Sequence, residues 1–381
     1  MTTRPTSARP PSHAESPTQS EAARLQSFGR ALRALHDREM ADMGEADVRY
    51  IVQLDRFSHA MEVVGRTLLH TSLEPVGFLT GVTCLWVHKQ LQATEIGHTV
   101  LHGVYDRLDD RYRSDTFVWQ APIDEDSWRN GHNLRHHQFT NVAHRDPDIN
   151  FGGIRLTEET PHRAEHYHQL GSVFFVSAPF FTSAMNAHFT GLMDVYGLGG
   201  WEDEVDVIDP SDPEAVREAH RRAFGKLLPH LAKEYLLFPA LAGPMFWKVA
   251  LGNWLSERAR DLYTAATIYC GHVGEDVASY PPGTRAGSRG RWYEMQVESS
   301  NNFTVAWPFN VLCGGLEHQI EHHLFPKLPP QRLRAIAPEV EAICQDHGVA
   351  YRSEPWGRTL LTSLRRIAEL SFPKRAVPST G

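Results

Sequence analysis

Two distant parts of this chain repeat one spacing of histidines, and this repeat constrains the fold more than any other feature of the sequence. The pattern His-x-x-x-His-His occurs at residues 132–137 and again at residues 318–323. Residues four apart lie on one face of an α-helix, and the next residue is turned by roughly 100° around the helix axis. Each segment can therefore offer ligands to two metal ions. A shared site requires a fold that brings both segments together.

A further pair of histidines at a spacing of four lies upstream of both repeats. Such a pair alone is a weak signal, because it often occurs by chance. The chain has 22 histidines in 381 residues, and neutral imidazole is the commonest metal ligand in proteins. The alternative is a set of solvated surface histidines. The three segments together predict a two-metal site with these ligands: His98, His102, His132, His136, His137, His318, His322 and His323.

Four other residues are candidates for the same site. His272 follows a Cys-Gly pair and could be a further ligand, although a lone histidine without a metal is the alternative. Asp146 and Asp148 could accept a hydrogen bond from the outer nitrogen of a ligating ring, the usual role of a carboxylate near a metal. Their alternative is a turn around the proline between them. Gln319 follows the first histidine of the last repeat, and the sequence leaves open which of these two side chains faces the metal.

Three apolar stretches predict membrane spans near residues 68–95, 170–193 and 235–255. The second contains no Asp, Glu, Lys or Arg, and a span needs about 20 mostly apolar residues. The mean hydropathy of −0.39 favours the alternative of a large soluble helical core. We expect an all-α fold, in which an integral-membrane helical bundle carries a cytosolic helical cap with the histidine-rich site.

Charge and composition extend this prediction to topology and domains. Arginines are frequent after residue 256, whereas residues 201–218 are acidic. The positive-inside rule then predicts that the histidines face the cytoplasm. Because lysine is scarce beside arginine, as in GC-rich bacterial genomes, we expect a multi-pass protein of a bacterial inner membrane. The number of spans before the first histidine pair stays open. We expect a flexible tail over residues 1–40, one domain over residues 41–381 and cytosolic helices over residues 329–370. The net charge of −8 gives no support for a nucleic-acid partner.

These three segments resemble the histidine boxes of the membrane fatty acid desaturase superfamily. The resemblance covers roughly residues 87–329, and its most specific part is Gln-Ile-Glu-His-His-Leu-Phe-Pro at residues 319–326. The second box is similar to the family pattern through His-Asn-x-x-His-His, followed by Thr140 and Asn141. The resemblance implies two irons as cofactors, with the box histidines as ligands and His272 matching a further family histidine. One departure is His318, which precedes the glutamine that many relatives have at the start of the third box.

The resemblance also implies the reaction. It is the oxygen-dependent desaturation of a long acyl chain that is carried on a lipid, on coenzyme A or on acyl carrier protein. The alternative activity is that of a related membrane di-iron hydroxylase or ketolase acting on an alkane, sterol or carotenoid. A non-enzymatic metal-storage or scaffold protein is a third possibility. The sequence shows no nucleotide-binding glycine motif and no haem signature, so a separate electron donor is implied, either ferredoxin-type or a cytochrome with its reductase.

Two sets of residues are candidates for contacts with these partners. Basic residues on the cytoplasmic side could dock the donor, although a solvated loop is the alternative, and they are Arg285, Arg289 and Arg291. Aromatic residues near the boxes could line an acyl tunnel or anchor the chain at the membrane interface, and they are Trp119, Phe139, Phe151, Trp307 and Phe309. For Trp307 we prefer the interfacial role.

Overall fold

The computed structural model describes residues 19–151, 153–198, 207–274 and 276–373, and most of these residues are helical. The α-helices of this described part are α1 Gln19–Asp42, α2 Glu45–Thr71, α3 Pro75–Leu91, α4 Thr99–Leu101, α5 Glu125–Trp128, α6 Gln169–Phe175, α7 Phe181–Phe189, α8 Leu192–Val195, α9 Pro213–Leu231, α10 Phe238–Leu241, α11 Phe246–His272, α12 Arg289–Glu298, α13 Phe309–Leu312, α14 Gln319–Leu324, α15 Pro330–Asp346 and α16 Trp356–Leu370. The predicted helical class is confirmed.

Shorter segments of other geometry join these helices. The π-helical segments are Gln92–His98, Arg129–His136, Val176–Phe180 and Ala232–Leu237. The 3-10 segments are Asp110–Tyr112, Ala164–His168, Gly243–Met245 and Leu316–His318. Two small sheets complete the fold, an antiparallel one of β1 (Asn150–Phe151) with β2 (Ile154–Arg155) and a parallel one of β3 (Asn302–Thr304) with β4 (Ser353–Pro355).

Helices α2 and α3 form a hairpin whose tip is Ser72–Glu74, and two glycines allow their backbones to approach. A Cβ on Gly65 would lie 3.0 Å from the Gly81 oxygen, and a Cβ on Gly81 would lie 3.2 Å from the Gly65 oxygen. Glu74 begins α3 by accepting hydrogen bonds from two backbone N–H groups of its first turn, a common way to satisfy a helix start. Helices α2 and α3 therefore precede the first histidine box as an antiparallel pair, and the number of membrane spans before that box stays a prediction.

A second hairpin follows later in the chain, and it corrects one predicted span. The helical run that ends with α10 stops at Leu241, and α11 begins at Phe246. Between them Gly243 has φ +55, a conformation that favours glycine, and Pro244 follows it. The prediction of one continuous span over residues 235–255 is therefore wrong. The tips of both hairpins are adjacent, because the Lys248 ammonium contacts the Ser72 carbonyl.

One helix of the described residues, Ala164–Phe189, is long and apolar enough to cross a membrane. It coincides with the predicted span at residues 170–193, and Phe174 and Phe175 on it are exposed. The predicted span near residues 68–95 is interrupted at the tip of the first hairpin. A buried core helix of a soluble protein can also satisfy the length and hydropathy that a span needs. The mostly helical fold is thus shown, with one candidate span in the described part.

The N-terminal and C-terminal helices build a layer around the third histidine box. Phe28 and Leu32 of α1 are fully buried in one cluster with Ile320 and Leu324 of α14 and with residues of α12 and α15. The prediction of a flexible tail is therefore wrong from Gln19 onward, because α1 supplies core side chains, while residues 1–18 lie outside the described residues. The predicted C-terminal helices are confirmed as α15 and α16.

Candidate metal centre

The three histidine boxes converge in the structure and form two buried groups. The first histidine group is His98, His102, His132 and His322, and its ligand nitrogens lie within 4.8 Å of one another. The second histidine group is His136, His272 and His323, and it satisfies the same criterion. Every one of these residues is buried. The central expectation from the sequence, that distant histidines meet at one place, agrees with this geometry.

Short contacts between ring nitrogens define each group. In the first, the Nε2 atom of His98 lies 3.2 Å from Nε2 of His102 and 3.4 Å from Nε2 of His132. In the second, Nε2 of His323 lies 3.3 Å from Nε2 of His136 and 3.0 Å from Nε2 of His272. Neutral imidazoles offer one donor and one acceptor each, so they cannot all pair with one another. A cation between the nitrogens would satisfy the converging lone pairs.

His137 lies between the two groups. Its ring stacks on that of His323, with centroids 4.4 Å apart, and its centroid is 4.7 Å from that of His102. Both ring nitrogens of His137 are buried and have no hydrogen-bond partner among the described residues. Nε2 of His322 is likewise buried and without such a partner. Buried polar atoms without partners are costly. They are explained if these nitrogens are reserved for metal ions.

The first box begins at the end of a π-helical segment, and most of the second box lies on another. His98 ends the π-helical segment Gln92–His98, and the second box occupies the segment Arg129–His136. The wider turn of a π-helix is uncommon and frequently occurs at functional sites. The sequence prediction of α-helical faces found the correct residues but not this local geometry, because spacing alone does not distinguish the two kinds of turn.

Gly97 allows the first box to approach a neighbouring tryptophan. A Cβ at this position would lie 1.9 Å from Nε1 of Trp119, whose N–H donates to the Gln92 carbonyl oxygen at 2.9 Å. We expect Gly97→Ala to destabilise the fold by about 2 kcal/mol, since overpacking typically costs 1–3 kcal/mol, and to lower bound metal. Thermal unfolding checks this result. Gly225→Ala is the matched control because nothing lies within 4 Å of its Cβ, and equal unfolding temperatures for the two variants would contradict the expectation.

Carboxylates hold the outer nitrogens of the second box. Nδ1 of His136 lies 2.9 Å from Asp146, which is fully buried, and Nδ1 of His132 lies 3.2 Å from Asp148. In each case the ring N–H donates to a carboxylate oxygen. This bond fixes the tautomer, so that Nε2 presents its lone pair to the group. The structure places both aspartates where the sequence analysis expected them.

Two outer contacts were not predicted from the sequence. Nδ1 of His323 lies 3.0 Å from the side-chain oxygen of Gln296, and Nδ1 of His272 lies 3.2 Å from the Ser299 carbonyl oxygen. Both partners come from the end of α12 and the residue after it. A single glutamine and a backbone carbonyl carry no spacing signal, so only the fold could identify them.

The structure places the side chain of Gln319 at the site and that of His318 away from it. The side-chain nitrogen of Gln319 lies 2.6 Å from Nε2 of His272, inside the site. His318 ends a 3-10 segment, belongs to neither histidine group and turns towards Glu321, whose carboxylate is 3.6 Å from its Nδ1. The change from 3-10 to α-helical geometry after residue 318 rotates its side chain away. The prediction of His318 as a ligand therefore has no support in this geometry, and Gln319 is the residue at the site.

Burial and neighbouring charges shift the pKa values of His272 and His136 in opposite directions. Burial and the neighbouring His136 lower the pKa of His272 to about 3. Burial also acts to lower the pKa of His136, but the carboxylates of Asp146 and Asp148 outweigh it and raise that pKa to about 9. A neutral ring is the form that ligates a metal. His272 is therefore ready to bind at neutral pH, whereas His136 exchanges a proton for the metal beside its carboxylates.

Asp146→Asn tests the outer support of His136. We expect the variant to bind metal 10–100-fold more weakly, the usual effect of losing such a partner, because the neutral amide no longer compensates charge beside the ring. Retention of iron against increasing chelator measures this effect. Asp209→Asn is the control, since Asp209 is exposed and its carboxylate bonds only to Ser211 among the residues described. Identical chelator midpoints for the two variants would contradict the assignment.

Two apolar cavities lie beside the histidine groups. One cavity lies against His98 and His132 of the first group, and His272 of the second group lines both cavities. They share the side chains of Phe181, Met185 and Ile268. Small-molecule sites are typically lined by apolar side chains. The shared wall makes the two cavities neighbours along one path past the histidines.

The aromatic and arginine residues that the sequence suggested as partner contacts lie in different surroundings. Trp119 lines the first cavity and Phe151 lines the second. The other three aromatics do not line either cavity: Phe139 lies under the Arg145 guanidinium, and Trp307 and Phe309 are exposed. Of the three arginines, Arg291 bonds to Glu294 and Glu298, Arg289 stacks on Trp292, and Arg285 is exposed.

The comparisons with known proteins agree with this geometry. A profile of the fatty acid desaturase family matches residues 73–355. The NADPH-dependent stearoyl-CoA 9-desaturase of Mycobacterium tuberculosis is 30% identical over 340 residues, which are 87% of this chain and 76% of that protein. The acyl-lipid (8-3)-desaturase of Physcomitrium patens is 28% identical over 284 residues, which are 72% and 56% of the two chains. The sn-1 linoleoyl-lipid 6-desaturase of Synechocystis is 26% identical over 249 residues, or 64% and 66%.

A mostly helical fold around two buried groups of imidazoles defines a protein of the histidine-box class. With a family match over most of its length, the chain belongs to the fatty acid desaturase family. It is an oxidoreductase that desaturates fatty acyl chains. The predicted family and the predicted activity are confirmed. Desaturation is favoured over the hydroxylase, ketolase and scaffold alternatives.

Proposed function

We propose that the two histidine groups hold two irons that serve the oxygen-dependent desaturation of a long acyl chain. The supporting observation is the set of buried imidazoles whose outer nitrogens donate to fixed acceptors while their inner nitrogens converge. Borderline ions such as iron suit imidazole ligands. The proposed ligands are His98, His102, His132, His136, His137, His272, His322 and His323, with Gln319 beside them.

The chemistry of dioxygen and of hydrogen removal from a methylene pair would come from the bound irons. The chain's own contribution is to position the substrate and to exclude water. Phe181, Met185 and Ile268 border both cavities, so they would hold the reacting methylenes beside the histidines. An alkyl chain offers no polar handle, and each buried methylene contributes about 0.8 kcal/mol. Apolar contact alone can therefore position it.

We propose a separate electron donor and a substrate whose acyl carrier the site does not specify. The cavities recognise an alkyl chain, and the relatives' names include both a coenzyme A ester and lipid-bound acyl chains. The relative from Mycobacterium tuberculosis is called NADPH-dependent, which supports a donor that NADPH reduces. Arg285 stays a candidate for docking it, since it is exposed on the loop before α12.

We propose an integral protein of a bacterial inner membrane, with the tips of the two hairpins farthest from the histidine groups. Large apolar side chains are exposed near these tips, among them Leu73, Val76, Leu241 and Trp247. Exposed apolar patches of this kind mark membrane or protein contacts. Helices α1 and α15 pack against α14, which carries the third histidine box. The positive-inside rule would make the side of these helices cytoplasmic.

Expression in a host of known lipid composition tests the proposed reaction. The expected product is an acyl chain lighter by two hydrogens, rather than heavier by one oxygen as a hydroxylase would give. His322→Ala should remove the product, because its Nε2 faces the first group. His318→Ala is the matched control from the same segment and should keep it. A hydroxylated product, or an unchanged lipid profile with a compatible donor present, would contradict the proposal.

A further inference from the structure

A second cluster of metal-binding side chains lies on the first helical hairpin, apart from the histidine boxes. His59 and Glu62 of α2 meet His88 of α3, and their ligand atoms lie within 4.8 Å of one another. His88 is buried, Glu62 is partly buried and His59 is half exposed. Solvent can therefore reach the cluster from the His59 side.

The carboxylate of Glu62 uses its two oxygens differently. Oε1 lies 3.3 Å from the Arg66 guanidinium and 3.8 Å from the Lys233 ammonium. Oε2 faces the two imidazoles instead, 3.5 Å from Nε2 of His88 and 3.7 Å from Nδ1 of His59. The two cations compensate one side of the carboxylate. The other side is directed at ring nitrogens.

The protonation of the His88 ring is fixed by its surroundings. Nδ1 lies 3.0 Å from the carbonyl oxygen of Ser58, which can only accept a hydrogen bond. Nδ1 therefore carries the proton, and the neutral ring presents the Nε2 lone pair to the Glu62 oxygen. Two acceptors that face each other repel unless a positive charge lies between them. A metal ion or an additional proton would supply it.

His59 repeats the arrangement seen in the histidine boxes. Its Nε2 lies 3.5 Å from Asp55, and Asp55 is itself held by hydrogen bonds from Gln92 and Tyr112. With Nε2 directed to a carboxylate, Nδ1 is the nitrogen left for the Glu62 side. A ring whose outer nitrogen bonds to a carboxylate is the common arrangement of a ligating histidine, and His132 with Asp148 shows it in the main centre.

We propose that His59, Glu62 and His88 bind one divalent transition-metal ion of the zinc type, which joins α2 to α3. Two imidazoles and one carboxylate match the ligand set of zinc sites that keep one position for water. The Glu62 oxygen Oε2 already lies 3.5 Å and 3.7 Å from the two ring nitrogens, close to the separation of ligand atoms around one tetrahedral ion with bonds of about 2.0–2.2 Å. The site lies on the helix that continues into the first box, ten residues before His98.

Zinc titration of the iron-loaded enzyme tests this site. Zinc chloride is added against a competing chelator, and both zinc and iron per chain are counted by elemental mass spectrometry. We expect one zinc ion to bind while the iron content stays constant. His59→Gln should weaken zinc binding at least tenfold, since loss even of an outer partner costs 10–100-fold. It alters a half-exposed residue, so folding is preserved.

Two further variants separate the site from its surroundings. Asp55→Asn should weaken zinc binding about tenfold without removing a ligand. His70→Gln is the matched control on the same helix, because the His70 ring bonds to the backbone oxygens of Arg66 and Phe238 and to no metal-type group. Zinc that binds wild type and His59→Gln equally would overturn the proposal. So would one iron lost for each zinc gained, because the zinc would then occupy the histidine boxes.

Discussion

Replacing His136 with alanine is expected to abolish desaturation and to lower bound iron from two ions to about one per chain. His136 belongs to the second histidine group, whose other members are His272 and His323. Its loss leaves that group with two imidazoles, while the first group keeps all four. Iron counted by elemental analysis, together with a lipid profile, measures both effects.

A second variant separates metal loss from misfolding. His136→Ala leaves the fully buried Asp146 without its ring partner, and removing one member of a buried pair costs about 3–5 kcal/mol. His136→Gln keeps an amide donor for Asp146, so it should unfold at a higher temperature than the alanine variant and still lose iron. His318→Ala should retain both irons. Two irons and full activity in His136→Gln would contradict its role as a ligand.

Met185→Trp is expected to lower kcat/KM for a long acyl chain by about 100-fold while the iron content stays unchanged. Met185 lies in the wall that both cavities share, beside Phe181 and Ile268. A bulky ring there would exclude about four methylenes at about 0.8 kcal/mol each, and about 3 kcal/mol corresponds to two orders of magnitude. The measurement is turnover across a series of chain lengths.

The chain-length series also provides the control for this prediction. Met185→Leu conserves volume, so it should behave like the wild type. Acyl chains short enough to end before the obstruction should lose less activity than long ones in Met185→Trp. A uniform loss for every length would indicate general damage to the fold. Unchanged turnover of long chains would show that the substrate does not pass between the two cavities.

The convergence of the histidines was largely predictable from the sequence because it depends on spacing within short segments. His132, His136, His322 and His323 follow from two copies of one pattern, and Asp146 and Asp148 follow from their position just after the second box. Gln296 was not predictable, because it reaches His323 only through the packing of α12 against α14. His318 was predicted from the same repeat, but the structure places it at the end of a 3-10 segment and in neither histidine group.

The sequence predicted that the fold is helical, but it did not predict where the helices are interrupted. Apolar stretches indicated helices near residues 170–193 and 235–255, yet Gly243 and its following proline divide the second stretch into a hairpin tip. The mean hydropathy of a stretch of residues does not reveal such a break. Helix α1 was not predicted as part of the core because most of its residues are polar. Its apolar residues Phe28 and Leu32 become buried only when α12, α14 and α15 surround them.

The most direct test of a two-metal centre is an anomalous diffraction map of iron-loaded crystals at the iron absorption edge. We expect two peaks, one among His98, His102, His132 and His322 and one among His136, His272 and His323. Both peaks should lie on the Nε2 side of these rings, because the outer nitrogens of His132 and His136 already bond to carboxylates. A single peak, or iron bound at His318 instead, would contradict the account.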